Sequence, residues 1–144
     1  MSKRKITQYQ LDKILDLNRK YYVYPGIHGI HGEIANLDGM NLSGLNFSDS
    51  ILNGASMQKV NLQRANLTFA QVHDTDLTGT NLTDAKLTST SFAGADLSRV
   101  VLTGHELRDI WSLTGATIPA RFLPWISTHP HFSGWLPTLT IVDD

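Results

Sequence analysis

Ala35-Asn36-Leu37-Asp38-Gly39, Met40-Asn41-Leu42-Ser43-Gly44, Leu45-Asn46-Phe47-Ser48-Asp49, Ser50-Ile51-Leu52-Asn53-Gly54: four consecutive pentads, read from Ala35, set the register for half the chain. The central residue of each pentad is apolar fifteen times in succession: Leu37, Leu42, Phe47, Leu52, Met57, Leu62, Leu67, Val72, Leu77, Leu82, Leu87, Phe92, Leu97, Leu102 and Leu107. In a chain that is 41% apolar, such a run arises by chance in a given frame roughly once in a million times. Two residues before each hit stands a second column. It is mostly small or β-branched, with Met40, Leu45, Val60 and Val100 as bulkier members and His105 as a misfit. Polar residues fill the rest, with Asn or Asp often directly before the hit.

A period of five matches neither the 3.6 of a helix nor the 2 of a strand. A helix would smear the leucines around its whole circumference, and a strand would alternate them between faces. The pattern requires a backbone that turns a corner every pentad and presents the same two positions inward each time.

The residues that carry this pattern resemble the pentapeptide repeat family, whose motif is A(D/N)Lxx. The match rests on Ala35-Asn36-Leu37, Ala65-Asn66-Leu67 and Ala95-Asp96-Leu97, with Asp76-Leu77 and Asn81-Leu82 as partial copies. The resemblance implies an all-β solenoid, a right-handed quadrilateral parallel β-helix with four repeats per coil. It also implies a non-enzymatic protein whose rigid outer wall meets a partner. Residues 1–34 then form an N-terminal helix and linker, 35–109 the repeats, and 110–144 a last partial coil, cap and tail. Coils that bury apolar surface only against their neighbours need covering at both ends.

At 144 residues the chain makes one domain. It has no cysteine and a formal net charge of −1, which advertises neither nucleic acid nor membrane. Lys3-Arg4-Lys5 is followed by no continuous apolar run, so a cytoplasmic protein without a leader or a span is expected. Thr7 and Gln10 have capping-box spacing, and Ile6 and Leu11 have staple spacing. They predict a helix over about residues 8–20 that covers the first coil. Its apolar stripe is Leu11, Ile14, Leu15 and one of Tyr21 and Tyr22. Tyr24-Pro25-Gly26-Ile27 reads as a type II turn.

The search for chemistry is short. His28 and His31, and again His129 and His131, are pairs without the third and fourth ligands that zinc takes. His73, Asp74 and Asp76 bring no nucleophile with a base and an orienting group. No phosphate loop or metal motif is present. No cofactor and no catalytic residue is therefore expected.

Two features point to a protein partner instead. Phe69 occupies an outward pentad position, where an exposed aromatic on a rigid wall is a candidate contact. Residues 119–144 hold four of the five prolines together with Phe122, Trp125, Phe132 and Trp135. Proline disfavours helix interiors and central strands. The tail is therefore expected to be extended, lying on the final coil or on a second copy of the chain as a homodimer. From Glu106 to Trp111 a helical turn is expected, with Leu107, Ile110 and Trp111 inward. Leu113 and Ile118 then resume the pentads shifted by one residue.

Two functions remain. The first is a scaffold or adaptor that binds another protein through the wall near Phe69 or through the tail. The alternative is a DNA-mimicking ligand of a type II topoisomerase, as in the quinolone-resistance branch of the family. Residues 35–109 carry five bases against eight acids. Just under four coils at about 4.8 Å each give a rod under about 20 Å tall, short and weakly charged for such mimicry.

Overall fold

A computed structural model describes residues 4–28 and 31–143. The repeats wind into a coil held by parallel bridges between residues twenty positions apart: Asn36 with Ser56, Asn41 with Asn61, Asn46 with Asn66 and Ile51 with Gln71. The same four walls continue upward as Ser56–Asp76–Asp96, Asn61–Asn81–Val101, Asn66–Lys86 and Gln71–Ser91. Four pentads thus make one turn. From Leu37 to Leu82 each hit residue donates its N–H to the coil above, as Leu42 N to Asn61 O (2.8 Å) and Leu67 N to Lys86 O (2.8 Å).

The hit column forms the core. Its members from Leu37 to Leu97 are all buried, as is Leu107, while Leu102 is partly buried against the others. Alanines of the second column fill the gaps between. Thr75, Thr80 and Thr90 take buried alanine positions. Each satisfies its hydroxyl on a carbonyl of the coil below: Thr75 to Leu52 O (2.9 Å), Thr90 to Leu67 O (2.7 Å) and Thr80 to Met57 O. A buried hydroxyl with a backbone acceptor costs little, whereas one without would be penalised.

The corners explain the asparagines. Side-chain oxygens of Asn36, Asn61, Asn66 and Asn81 accept the backbone N–H two residues on, at 3.0–3.1 Å. Asp76 and Asp96 do the same at 2.9 Å. This Asx geometry turns the chain. The corner's last residue then takes a left-handed conformation, where glycine recurs at Gly39, Gly44, Gly54, Gly79 and Gly94, since it has no Cβ to strain.

Helix α1 spans Gln8–Val23, with Thr7 and Gln10 closing the capping box. The stripe that faces the coil is Leu11, Ile14, Leu15 and, unexpectedly, Asn18, which is fully buried. Tyr21 and Tyr22 stay exposed. Gly26 has φ +72° and Ile27 N reaches Tyr24 O at 3.4 Å, as the turn reading requires.

At the far end a short 3₁₀ helix, His105–Asp109, interrupts the pentads. Bridges above it step by twenty-one, Ser91 to Ser112 and Asp96 to Thr117, which is the expected one-residue shift. Leu107 and Ile110 are buried there, but Trp111 points outward. Its backbone N–H joins the ladder at Thr90 O (2.8 Å), and Leu113 takes the inward place.

The tail is not extended. Strand β1 (Thr117–Pro119) leads into a 3₁₀ turn at Ala120–Phe122, helix α2 (Leu123–Ile126), helix α3 (Phe132–Trp135), a 3₁₀ turn at Leu136–Thr138 and strand β2 (Thr140–Val142). β2 returns to pair in parallel with β1, Ile118 opposite Ile141. The prolines permit this because Pro124 and Pro137 stand in first turns, where proline's missing N–H would have no partner anyway.

Candidate interaction surface

The corner position of each pentad is glycine or polar in every described coil but one. That exception is Phe69, held at φ +60° and 59% exposed. A bulky aromatic in the left-handed region is strained by roughly 1–2 kcal/mol. Its backbone is locked there because Phe69 N donates to Thr88 O (3.0 Å) and Ala70 N to Leu67 O (2.8 Å).

Facing Phe69 across one wall is Trp111, 64% exposed. A cleft of about 750 Å³ lies between them, floored by Gln71, His73, Ser91 and Ser112. His73 Nε2 and Ser91 Oγ are 2.9 Å apart, and Ser112 Oγ donates to Thr114 Oγ1 at 3.0 Å. Two further recesses open on the other sides of the same indole. One, of about 740 Å³, runs past Arg108, Pro124, Trp125 and His129. The other, of about 440 Å³, runs past His131, Ser133 and Trp135.

The rings behind Trp111 form a stack. The His129 and Trp135 ring centres are 4.4 Å apart, and His131 stands 6.0 Å from Trp111. His131 N–H donates to His129 Nδ1 at 3.2 Å, so that nitrogen carries no proton. Burial, then the neighbouring His131, depresses the His129 pKa, against opposition from the Ile110 carbonyl and Asp109.

The sequence-predicted aromatics divide. Phe122 and Trp135 are 3% and 4% exposed, so they belong to the chain's own core rather than to a free contact surface. Burying them against the last coil removes two large apolar faces from water. Trp125 is 46% exposed, and its indole edge lies over Gly104. The side chain of Phe132 lies outside the described part of the structure. Among the described residues no three His, Asp or Glu side chains gather as metal ligands. Leu37 and Leu42, in the first coil, are fully buried.

The sequence reading placed Trp111 indoors. The signal against that was Ile110, a neighbour able to take the inward place, and the shifted register after it.

The sequence profile of the pentapeptide repeats matches eight copies over residues 35–68 and 65–104. The chain is a pentapeptide-repeat protein. Several solved pentapeptide-repeat structures are similar to it. One is a thylakoid-lumen protein of Arabidopsis thaliana, 29% identical, with 60% of this chain and 55% of that one covered and a TM-score of 0.48. Another is QnrB1, a plasmid-mediated fluoroquinolone resistance protein, 17% identical over 61% of this chain and 57% of that one, with a TM-score of 0.46. A third, from Nostoc PCC 7120, is 19% identical over 99% and 100% of the two chains, with a TM-score of 0.44. This pentapeptide-repeat protein thus spans little more than half the length of the first two. No curated protein matches it. Among the described residues no helix is long and apolar enough to cross a membrane.

Proposed function

We propose that this protein is a non-enzymatic interaction scaffold. In the family's right-handed, four-sided coil, one wall carries the contact surface, between Phe69 and Trp111. The observation that carries the reading is Phe69 itself: an outward, 59% exposed aromatic at a left-handed corner that glycine or a polar residue fills everywhere else among the described residues. Aromatic anchors on a rigid surface supply much of the energy of protein contacts. The topoisomerase alternative draws no such support, because the clefts that meet at Trp111 are lined by one carboxylate, Asp109, beside Arg108.

The test is site-specific photocrosslinking in the native host. A benzophenone amino acid replaces Phe69, and a control replaces Gln63 on another wall. A discrete protein adduct at position 69, absent at 63 and lost with Trp111→Ala, supports the scaffold. Equal labelling at both positions rejects it.

A further inference from the structure

We infer that the partner presents an extended, proline-bearing segment, laid along the recesses that meet at Trp111. This inference rests on the scaffold reading and names the chemistry of its partner.

Three observations select that occupant. The first is shape. Three recesses of about 750, 740 and 440 Å³ share one indole. Together they form a branched track rather than one enclosed cavity, which suits a chain lying across a surface. The second is a set of exposed apolar ridges. Phe69, Trp111 and Trp125 stand out from a floor of small residues, Ser89, Ser91 and Ala93. Pyrrolidine rings pack flat on such faces, and the polyproline II helix arrives already ordered, so little entropy is lost on docking.

The third is the balance of hydrogen-bonding groups. Gln71, Arg108 and the indole N–H groups of Trp111 and Trp125 are donors, with serine and threonine hydroxyls between them. Asp109 is the one carboxylate lining the track. A proline-rich segment matches a donor-rich groove. Its imide nitrogens have no hydrogen to donate, while its carbonyls point outward without internal partners. A β-strand ligand would need backbone acceptors, and those of this wall are consumed in the ladder, as Ser91 O is by Val72 N at 2.8 Å. A glycan would pack on the same rings, but it needs more carboxylate or amide acceptors for its hydroxyls than the track offers.

The experiment uses the full chain and an array of peptides of about twelve residues, with proline at every third position, beside matched peptides carrying alanine there. Binding is read by tryptophan fluorescence and isothermal titration, with cellohexaose as a glycan control. Expected are proline peptides that bind in the micromolar range and exceed their alanine counterparts by about tenfold. Trp111→Ala should lower that affinity by about tenfold as well. Phe69→Asn, which relieves backbone strain and so keeps the fold, should do likewise; circular dichroism checks both variants. Equal binding of proline and alanine peptides would overturn the inference, as would cellohexaose binding as tightly. Persistence of the Phe69 crosslink in either case would leave the scaffold reading standing with a different partner chemistry.

Discussion

The side-chain amide of Gln8 makes both hydrogen bonds that a neighbouring coil would make to Asn46. Its Nε2 donates to Asn46 O at 2.8 Å, and its Oε1 accepts from Asn46 N at 2.8 Å. Asn18 repeats the device further along α1, donating to Ile51 O (2.6 Å) and accepting from Ala35 N (2.7 Å). The backbone at Arg4 covers a third wall, where Asn41 N donates to its carbonyl at 2.8 Å. The first coil has no coil beneath it, and an unpaired edge would be both unstable and adhesive. The helix closes that edge with amides that imitate peptide groups.

Removing these amides should expose the edge in proportion to burial. Asn18→Ala strands a buried N–H and a carbonyl, so a loss of about 2–4 kcal/mol is expected. Gln8→Ala, at an exposed site, should cost only about 1 kcal/mol. Urea denaturation followed by circular dichroism measures both. An Asn18 variant as stable as the parent would show that the helix holds the coil by apolar contact alone.

Phe69→Asn should raise stability by about 0.5–1 kcal/mol, because asparagine tolerates the left-handed corner. The same change should weaken capture of the proline peptides on that wall by about tenfold. A thermal midpoint that falls instead would mean that the phenyl ring contributes more to the folded coil than its exposure indicates.

Ser50 occupies an alanine-type inward place, and its buried Oγ has no hydrogen-bond partner among the described residues. Ser50→Ala should therefore stabilise the protein by about 1 kcal/mol, by removing an unsatisfied group. A destabilised variant would point to a partner for that hydroxyl.

Glu106 is buried where the pentads break. Its carboxylate accepts Asp84 N (3.1 Å), Thr103 N (3.1 Å), Gly104 N (3.0 Å) and Thr103 Oγ1 (2.9 Å). Burial alone would raise its pKa, but these donors, with His105 nearby, outweigh burial and hold it below the ordinary value. A folded-state pKa below the unfolded one gives stabilisation that is present above about pH 4.3 and lost as pH falls through the lower folded value. Glu106→Gln should weaken the protein at pH 7 and flatten its acid unfolding. An unchanged acid limb in guanidine titrations at stepped pH would remove Glu106 from that role.

The pentad period dictated the coil, its core column and its Asx corners, because each depends on residues within five of one another. The capping box of Thr7 and Gln10 was legible for the same reason. Local spacing cannot report which of two neighbours wins the inward place when the register slips. Ile110 and Leu113 are buried and Trp111 is turned out only because the last coil must close over Phe92 and Leu97. Nor does spacing reveal that Asn18 lies under a bare strand edge, or that Pro124 and Pro137 can begin short helical turns which bring β2 back to β1. Those outcomes depend on contacts between segments far apart in the chain, where packing and the need to pair every buried peptide group override local preference. The cleft between Phe69 and Trp111 is of this second kind, since its two sides are forty-two residues apart and meet only because the coil stacks them.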